Sequence, residues 1–321
     1  MPDPGAARSP VSGDGEGRGA SREVAVAVAL LAFGVLLWAG NWVIGRMIRL
    51  DAPPGGLTFA RWLIAALALS LLCARDLGRA LPHVRRHWGI LLLLGLLASV
   101  LQHMPVYLGL QTTTATTASL LNAITPVFIL LIAWVMLGER LTSLVVAGVV
   151  VSMAGAVCIM TRGEPATLIR WVLNVGDLWI LLGTFSWAVY TICLRWRPAE
   201  LRPMTLLWAI SVFGAACSAP VALVEYGLGQ RVIWSAPVVA SVFYIGLCST
   251  VLAYACWNRG VQVLGASRTG PFMYLMPVYT PMLGWLFLGE TMEMFHVVGI
   301  ALIFFGILLT RLAGGGAKPA A

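Results

Sequence analysis

Long apolar runs, separated by short stretches rich in Gly, Pro, Arg and other polar residues, fill the chain from residue 24 to residue 312. A helix of about 20 apolar residues spans the hydrocarbon of a bilayer, with about 17 as the lower limit. Ten segments meet or approach that length: 24–46, 57–74, 88–110, 117–138, 141–161, 177–195, 204–224, 235–258, 266–288 and 294–312. The second is the shortest, and Arg61 lies inside it. The first is too long for the apolar region of a signal peptide and continues through Trp42, so it predicts an uncleaved helix. Residues 1–23, rich in Gly, Pro, Ser and Ala with scattered charges, predict a disordered cytoplasmic tail. Residues 162–176 read as a linker and 313–321 as a second cytoplasmic tail. The pattern predicts an all-α membrane protein with ten transmembrane helices.

One set of residues occurs twice in these runs. Gly109, Gln111, Ala115, Pro126-Val127, Trp134, Leu137-Gly138-Glu139, Gly148 and Gly155 recur 151 positions later. The second set is Gly260, Gln262, Ala266, Pro277-Val278, Trp285, Leu288-Gly289-Glu290, Gly299 and Gly306. An internal repeat in a membrane chain predicts a pseudosymmetric bundle with a site between its halves. The offset gives five spans to each copy, over 24–161 and 177–312.

Charge placement then sets the orientation, because cytoplasmic segments carry an excess of Lys and Arg. With the N-terminus in the cytoplasm, fifteen of the 21 basic residues fall in inside segments and five in outside ones. Both termini inside requires an even number of spans. Five is odd, so the second copy enters the membrane in the opposite sense. The expectation is two inverted five-helix repeats in a bacterial plasma membrane.

Composition narrows the class. Hydrophobic residues are 60% of the chain and charged residues 11%, against about 25% charged in soluble domains. The net charge of +8 does not indicate nucleic acid, because the basic residues are spread over loops between apolar runs. The six cysteines (73, 158, 193, 217, 248 and 256) lie in apolar segments without a C-x-x-C pair, and predict packing residues. All 13 acidic residues lie in tails, loops or span ends, so no central carboxylate carries a proton or binds Na⁺. The spans hold no paired Asp and no H-E-x-x-H helix. Neither an enzyme nor a cofactor or metal site is expected.

Pro126-Val127, then Trp134, Leu137-Gly138-Glu139-Arg140-Leu141, Gly148 and Gly155, resemble the second half of an EamA domain, and Pro277 through Gly306 resemble another. Trp38-Ala39 and Arg46, echoed by Trp187-Ala188 and Arg195, fit the earlier part of each copy. The Arg61-Trp62 pair also resembles the family pattern, although the second copy lacks that Arg. The resemblance covers roughly residues 24–312 and implies the drug/metabolite transporter superfamily. It implies ten helices, cytoplasmic termini and a central cavity, in proteins that move amino acids, sugars, nucleotide sugars and other metabolites.

The polar residues within the spans are the site candidates. Trp38, Asn41, Trp42 and Gly45 share one face of the first span. An Asn in hydrocarbon needs a partner or water, so that face is expected to point inward. The third span carries Ser99, Gln102, His103 and Tyr107, with Pro105 expected to kink it. His103 is the one candidate proton carrier, with an ordinary pKa of about 6.5. The offset pairs His103 with Tyr254, Tyr107 with Asn258 and Asn41 with Tyr190. Corresponding positions are therefore polar but chemically different, as an asymmetric substrate requires.

Asn122 and Tyr274 sit about one turn before Pro126 and Pro277, where a proline leaves a carbonyl without its usual donor. Pro281 adds a second break in the ninth span. Pro105, Pro126, Pro277 and Pro281 are the candidate hinges. Arg61 either snorkels to the outer interface, the favoured reading, or attracts a carboxylate. Glu139 and Glu290 read as structural, favouring the N-terminus of the next helix.

The functional expectation is a secondary transporter exporting a small metabolite, an amino acid or related compound, by alternating access. Sugar, nucleoside and drug substrates stand as alternatives, as does a non-transporting or lipid-handling scaffold. The partners implied are a small-molecule substrate, the bilayer and, through His103, protons.

Overall fold

The structure, a computed structural model, describes residues 14–113, 118, 121–138, 142–164, 166, 174–279, 282–283 and 293–312. Among these residues every regular element is helical. Among the described residues six helices are long and apolar enough to cross a membrane: Arg22–Gly45, Pro54–Leu72, Trp88–Thr112, Val175–Trp196, Pro203–Gly227 and Ala236–Leu264. Three shorter apolar helices are Thr125–Leu137, Ser143–Ile159 and Met294–Thr310.

The departures from the expected spans have local causes. Among the described residues the fourth expected span holds the 13-residue helix Thr125–Leu137. It starts at the proline dipeptide step and stops where Gly138 turns left-handed at φ +63. Among its described residues the ninth opens with a short helix, Ala266–Thr269, passes through a 3-10 stretch, Gly270–Leu275, where Gly270-Pro271 denies the α-helical bonding pattern, and returns to α-helix at Met276. The third, Trp88–Thr112, is interrupted at 99–102, between the regular segments Trp88–Ala98 and His103–Thr112. Pro105 supplies no N–H, and the bonds upstream slip by one residue: Leu101 N donates to Leu96 O at 3.0 Å and Met104 N to Ser99 O at 3.4 Å. The eighth runs through a π-helical stretch, Tyr244–Leu252, in which Thr250 Oγ1 donates to the Ile245 carbonyl at 2.8 Å. Both third-of-five helices are thus irregular at corresponding depth. Such irregularity inside a helix recurs at functional sites.

The stretch between the second and third spans is itself a helix, Ala74–Arg86. It buries Ala80 and Val84 and exposes Arg75, Arg79, Arg85 and Arg86, the form of a helix lying in the membrane interface.

Repeat-related residues meet across the molecule. A Cβ on Gly148 would lie 2.6 Å from the Gly306 carbonyl, and one on Gly155 would lie 2.6 Å from the Gly299 carbonyl. Midway between these contacts, Ser152 Oγ donates to Ile303 O at 3.2 Å. Positions 152 and 303 are equivalent under the 151-residue offset, and the pairing order around them reverses. This is the self-complementary contact that a two-fold axis generates.

The same exchange governs the centre. Gly109 faces Ile180 and Gly260 faces Leu31, while Gly183 abuts Gln102 O and Gly34 abuts Ala253 O. Each half's first helix therefore packs into the other half's third. Trp38 and Trp187, equivalent at an offset of 149, touch edge to face with centroids 4.9 Å apart.

Two acid contacts tie the helix Pro203–Gly227 to the first copy, one to Pro54–Leu72 and one to the helix Ala74–Arg86 that follows it. Glu225, at the end of Pro203–Gly227, accepts the Gly55 and Gly56 amides of Pro54–Leu72 at 2.8 Å each. At the other end, Arg202, the N-cap of Pro203–Gly227, pairs with Asp76 at 3.1 Å. Asp76 and Glu225 are 149 positions apart. They are equivalent acids at opposite ends of Pro203–Gly227, Glu225 buried on a helix N-terminus and Asp76 half-buried in an exposed pair with Arg202.

Candidate functional site

A small cavity lies where the helices of the two copies meet. From the first helix, Trp38, Asn41 and Trp42 line it, as the shared helical face requires. Gln102 and His103 line it at the break in the third span, and Asn122 just before Pro126. The second copy contributes Trp187, Tyr254, Met273 and Met276. The free volume is about 30 Å³. That holds a water or two, and no metabolite. In this state the cavity has no room for cargo.

The break at 99–102 supplies the polar frame. Helix interruption releases carbonyls, and side chains take them up: Ser186 Oγ donates to Leu97 O at 3.0 Å. Nδ1 of His103 lies 2.6 Å from the Ala98 carbonyl, which Tyr254 Oη also approaches at 3.5 Å. A carbonyl only accepts, so Nδ1 carries the hydrogen and Nε2 is left as the second ring nitrogen. Around this frame the aromatic rings pack at right angles. Trp62 and Tyr254 are 5.3 Å apart, Trp187 and Tyr254 5.3 Å, and Trp38 and Tyr254 5.7 Å.

Other predicted residues sit behind this wall. Tyr190 is fully buried, stacked on Trp187 at 5.0 Å, and donates to Asn258 Oδ1 at 3.0 Å. Tyr107 Oη approaches Asn41 Oδ1 at 3.5 Å. These are equivalent Tyr–Asn contacts with the roles of the two helices exchanged: Asn on the first helix and Tyr on the third in one copy, the reverse in the other. Tyr190, Tyr107, Asn258 and Tyr274 do not line the cavity in this state. Tyr274 is buried with its hydroxyl unpartnered.

The prolines bound helices more than they bend them. The Asn122 carbonyl, the one Pro126 would leave free, accepts Thr125 Oγ1 at 2.6 Å. The Met273 carbonyl before Pro277 accepts the Met276 amide. Neither is an open ligand, because a neighbouring donor lies within one turn. Pro105 stands next to the break it causes. Pro281, Glu139 and Glu290 lie outside the described residues.

Arg61 corrects the favoured reading of the sequence. It does not reach the interface, and its exposure is 0%. Its Nε donates to Thr250 Oγ1 at 2.9 Å, its Nη1 to Tyr107 Oη at 3.0 Å, and its Nη2 reaches Ser249 Oγ at 3.5 Å. The hydroxyls of the π-helical stretch and of Tyr107 hold it inward against the pull of water. Trp187, Met273 and Met276 were not among the candidates read from the sequence. Trp187 matches Trp38 under the repeat, and the equivalent of a wall residue lying between the two copies is itself a wall residue. The methionines carry no polar signal.

The comparisons with known proteins agree with this architecture. The EamA-like transporter family model matches residues 25–161 and 174–312. A protein of Archaeoglobus fulgidus named an uncharacterized transporter is 28% identical over 88% of this chain and 96% of its own length. A protein of Streptantibioticus cattleyicolor named a probable terminal-alkyne amino-acid exporter is 29% identical, over 88% of this chain and 92% of its own. A crystal structure superposes with a TM-score of 0.71 over 91% of this chain and 97% of that one, at 21% identity.

Proposed function

We propose that this chain, which belongs to the EamA-like transporter family, is a secondary transporter that exports a small amphipathic metabolite. On this reading ten spans form two inverted five-helix halves, residues 24–161 and 177–312, in a bacterial plasma membrane with both termini in the cytoplasm. The central cavity binds the substrate, and rocking of one half against the other opens it to each side in turn.

The observation that carries the reading is the position of the cavity. Its wall is drawn from both copies, around the Trp38–Trp187 contact, and its free volume of about 30 Å³ is too small for cargo. A cavity this small between the two copies becomes a binding site only if the halves move. Its lining of indole and phenol rings, with Asn41, Gln102 and Asn122 among them, suits a molecule with an apolar body and a few hydrogen-bonding groups. The name of the Streptantibioticus cattleyicolor relative supports an amino acid or related compound, moved outward.

Counterflow in proteoliposomes tests this. Vesicles preloaded with unlabelled compound are given the same compound in labelled form, across a panel of amino acids, sugars and nucleosides. The proposal expects transient, saturable accumulation for at least one amphipathic compound. No counterflow for any member overturns it.

A further inference from the structure

Arg61 is the eighth residue of the helix Pro54–Leu72, about 10 Å along it from its start. It is fully buried. A guanidinium stays charged, and its five N–H groups form a planar fork suited to a carboxylate. The partners present are Thr250, Tyr107 and Ser249, all neutral hydroxyls. Among the described residues no carboxylate pairs with it. A buried charge is normally paired, because an unpaired one forfeits its hydration without return. An intramembrane cation held in this way marks a substrate or ion path.

The geometry joins Arg61 to the cavity through two short links. Tyr107 Oη, which accepts from Arg61, also approaches Asn41 of the cavity wall at 3.5 Å. Ser249, whose hydroxyl faces Arg61, uses its carbonyl to accept Trp38 Nε1 of the same wall at 2.9 Å. Ser249 and Thr250 sit in the π-helical stretch, where backbone bonding is already loosened. The second copy has Ile210 at the equivalent position, so the charge is single and lies to one side of the axis.

We propose that Arg61 is the anchor for a carboxylate, and that the transported compound is a small carboxylic acid with an apolar body. This rests on the carrier reading above and names its substrate class. Opening the cavity moves the Tyr107 hydroxyl aside, and the substrate carboxylate takes its place on the guanidinium while the indole wall receives the apolar body. Trp38, Trp42 and Trp187 make binding visible as a change in tryptophan fluorescence.

The test titrates the purified full-length chain in detergent. The probes are leucine and 4-methylpentanoate, set against leucinamide and 4-methylpentanamide. The proposal expects saturable quenching by both acids, and at least tenfold weaker binding of each matching amide. Arg61→Gln should remove that preference, and Arg61→Lys should keep part of it. Equal response to acids and amides in the wild type overturns the proposal, as does absence of binding by either acid; neither result depends on how a variant folds. Thermal melting adds a readout for the bland alternative. A purely structural Arg61 predicts that Arg61→Met lowers the melting temperature, whereas a binding residue held at a cost predicts an unchanged or higher one. Acid-selective binding without counterflow of any compound would leave the carboxylate site standing and remove the carrier reading.

Discussion

Replacing Glu225 by Gln isolates the contact that closes one end of the helix pair. The carboxylate accepts two backbone amides, Gly55 N and Gly56 N, at 2.8 Å each, at the first turn of Pro54–Leu72. Gly55 has to lack a side chain there, since a Cβ would lie 2.7 Å from Glu225 Oε2. A hydrogen bond to a charged group contributes about 1.5–3 kcal/mol, and a negative charge at a helix N-terminus about 0.3–1 kcal/mol more. Gln keeps one acceptor, turns an N–H₂ toward the second amide and removes the charge. The expected loss is therefore about 2–4 kcal/mol.

The equivalent acid, Asp76, serves as the internal control. Its pair with Arg202 is exposed, and such pairs contribute about 0–1 kcal/mol. At roughly 2 °C per kcal/mol, the lower end for large domains, Glu225→Gln should lower the melting temperature by about 4–8 °C and Asp76→Asn by under about 2 °C. Thermal unfolding of both purified variants, followed by tryptophan fluorescence, decides it. Equal shifts, or no shift from Glu225→Gln, would refute the claim that burial and the helix terminus make these equivalent acids unequal.

Gly155→Val should drive the Ser143–Met160 helix off its partner, because the new Cβ meets backbone rather than a flexible side chain. The expected loss is about 1–3 kcal/mol. Gly78→Ala, where nothing lies within 4 Å, should be neutral or stabilising by melting temperature. Tyr107→Phe removes the acceptor at Arg61 Nη1 and should destabilise by about 1–3 kcal/mol, read by the same assay. Ser186→Ala removes the donor from the Leu97 carbonyl at the helix break. It should speed amide hydrogen exchange over residues 99–104 with less effect on the outer helix ends.

Much of this was legible in the sequence, because lipid imposes simple rules. Apolar length located the six long helices, and the doubled Gly and Trp positions carried the two-copy packing: a glycine is repeated where a backbone must approach closely, as at Gly148 and Gly155. The helical spacing of Trp38, Asn41 and Trp42 placed them on the cavity wall. What failed was reading side-chain direction from depth. Tyr190 and Tyr107 are as polar and as central as Asn41, but neither lines the cavity: Tyr190 turns its hydroxyl to Asn258, and Tyr107 sets its own between Arg61 and the back of Asn41. Arg61 was expected to follow its long stem to the interface, and three hydroxyls from distant parts of the chain hold it inside instead. No local pattern encodes such partners, which lie 46 to 189 positions away. The helix break at 99–102 was foreshadowed by Pro105, whereas the π-helical stretch at 244–252 has no proline to announce it.

On the proposed function the cavity between the two copies faces each side of the membrane in turn. Asn122, half-buried on the cavity wall, is the position to probe. A single cysteine there, with the six native cysteines replaced, is exposed to a membrane-impermeant maleimide in right-side-out and in inside-out vesicles. Alternating access predicts labelling from both sides, slowed from both by a bound substrate. Labelling from one side only, or from neither, would contradict it.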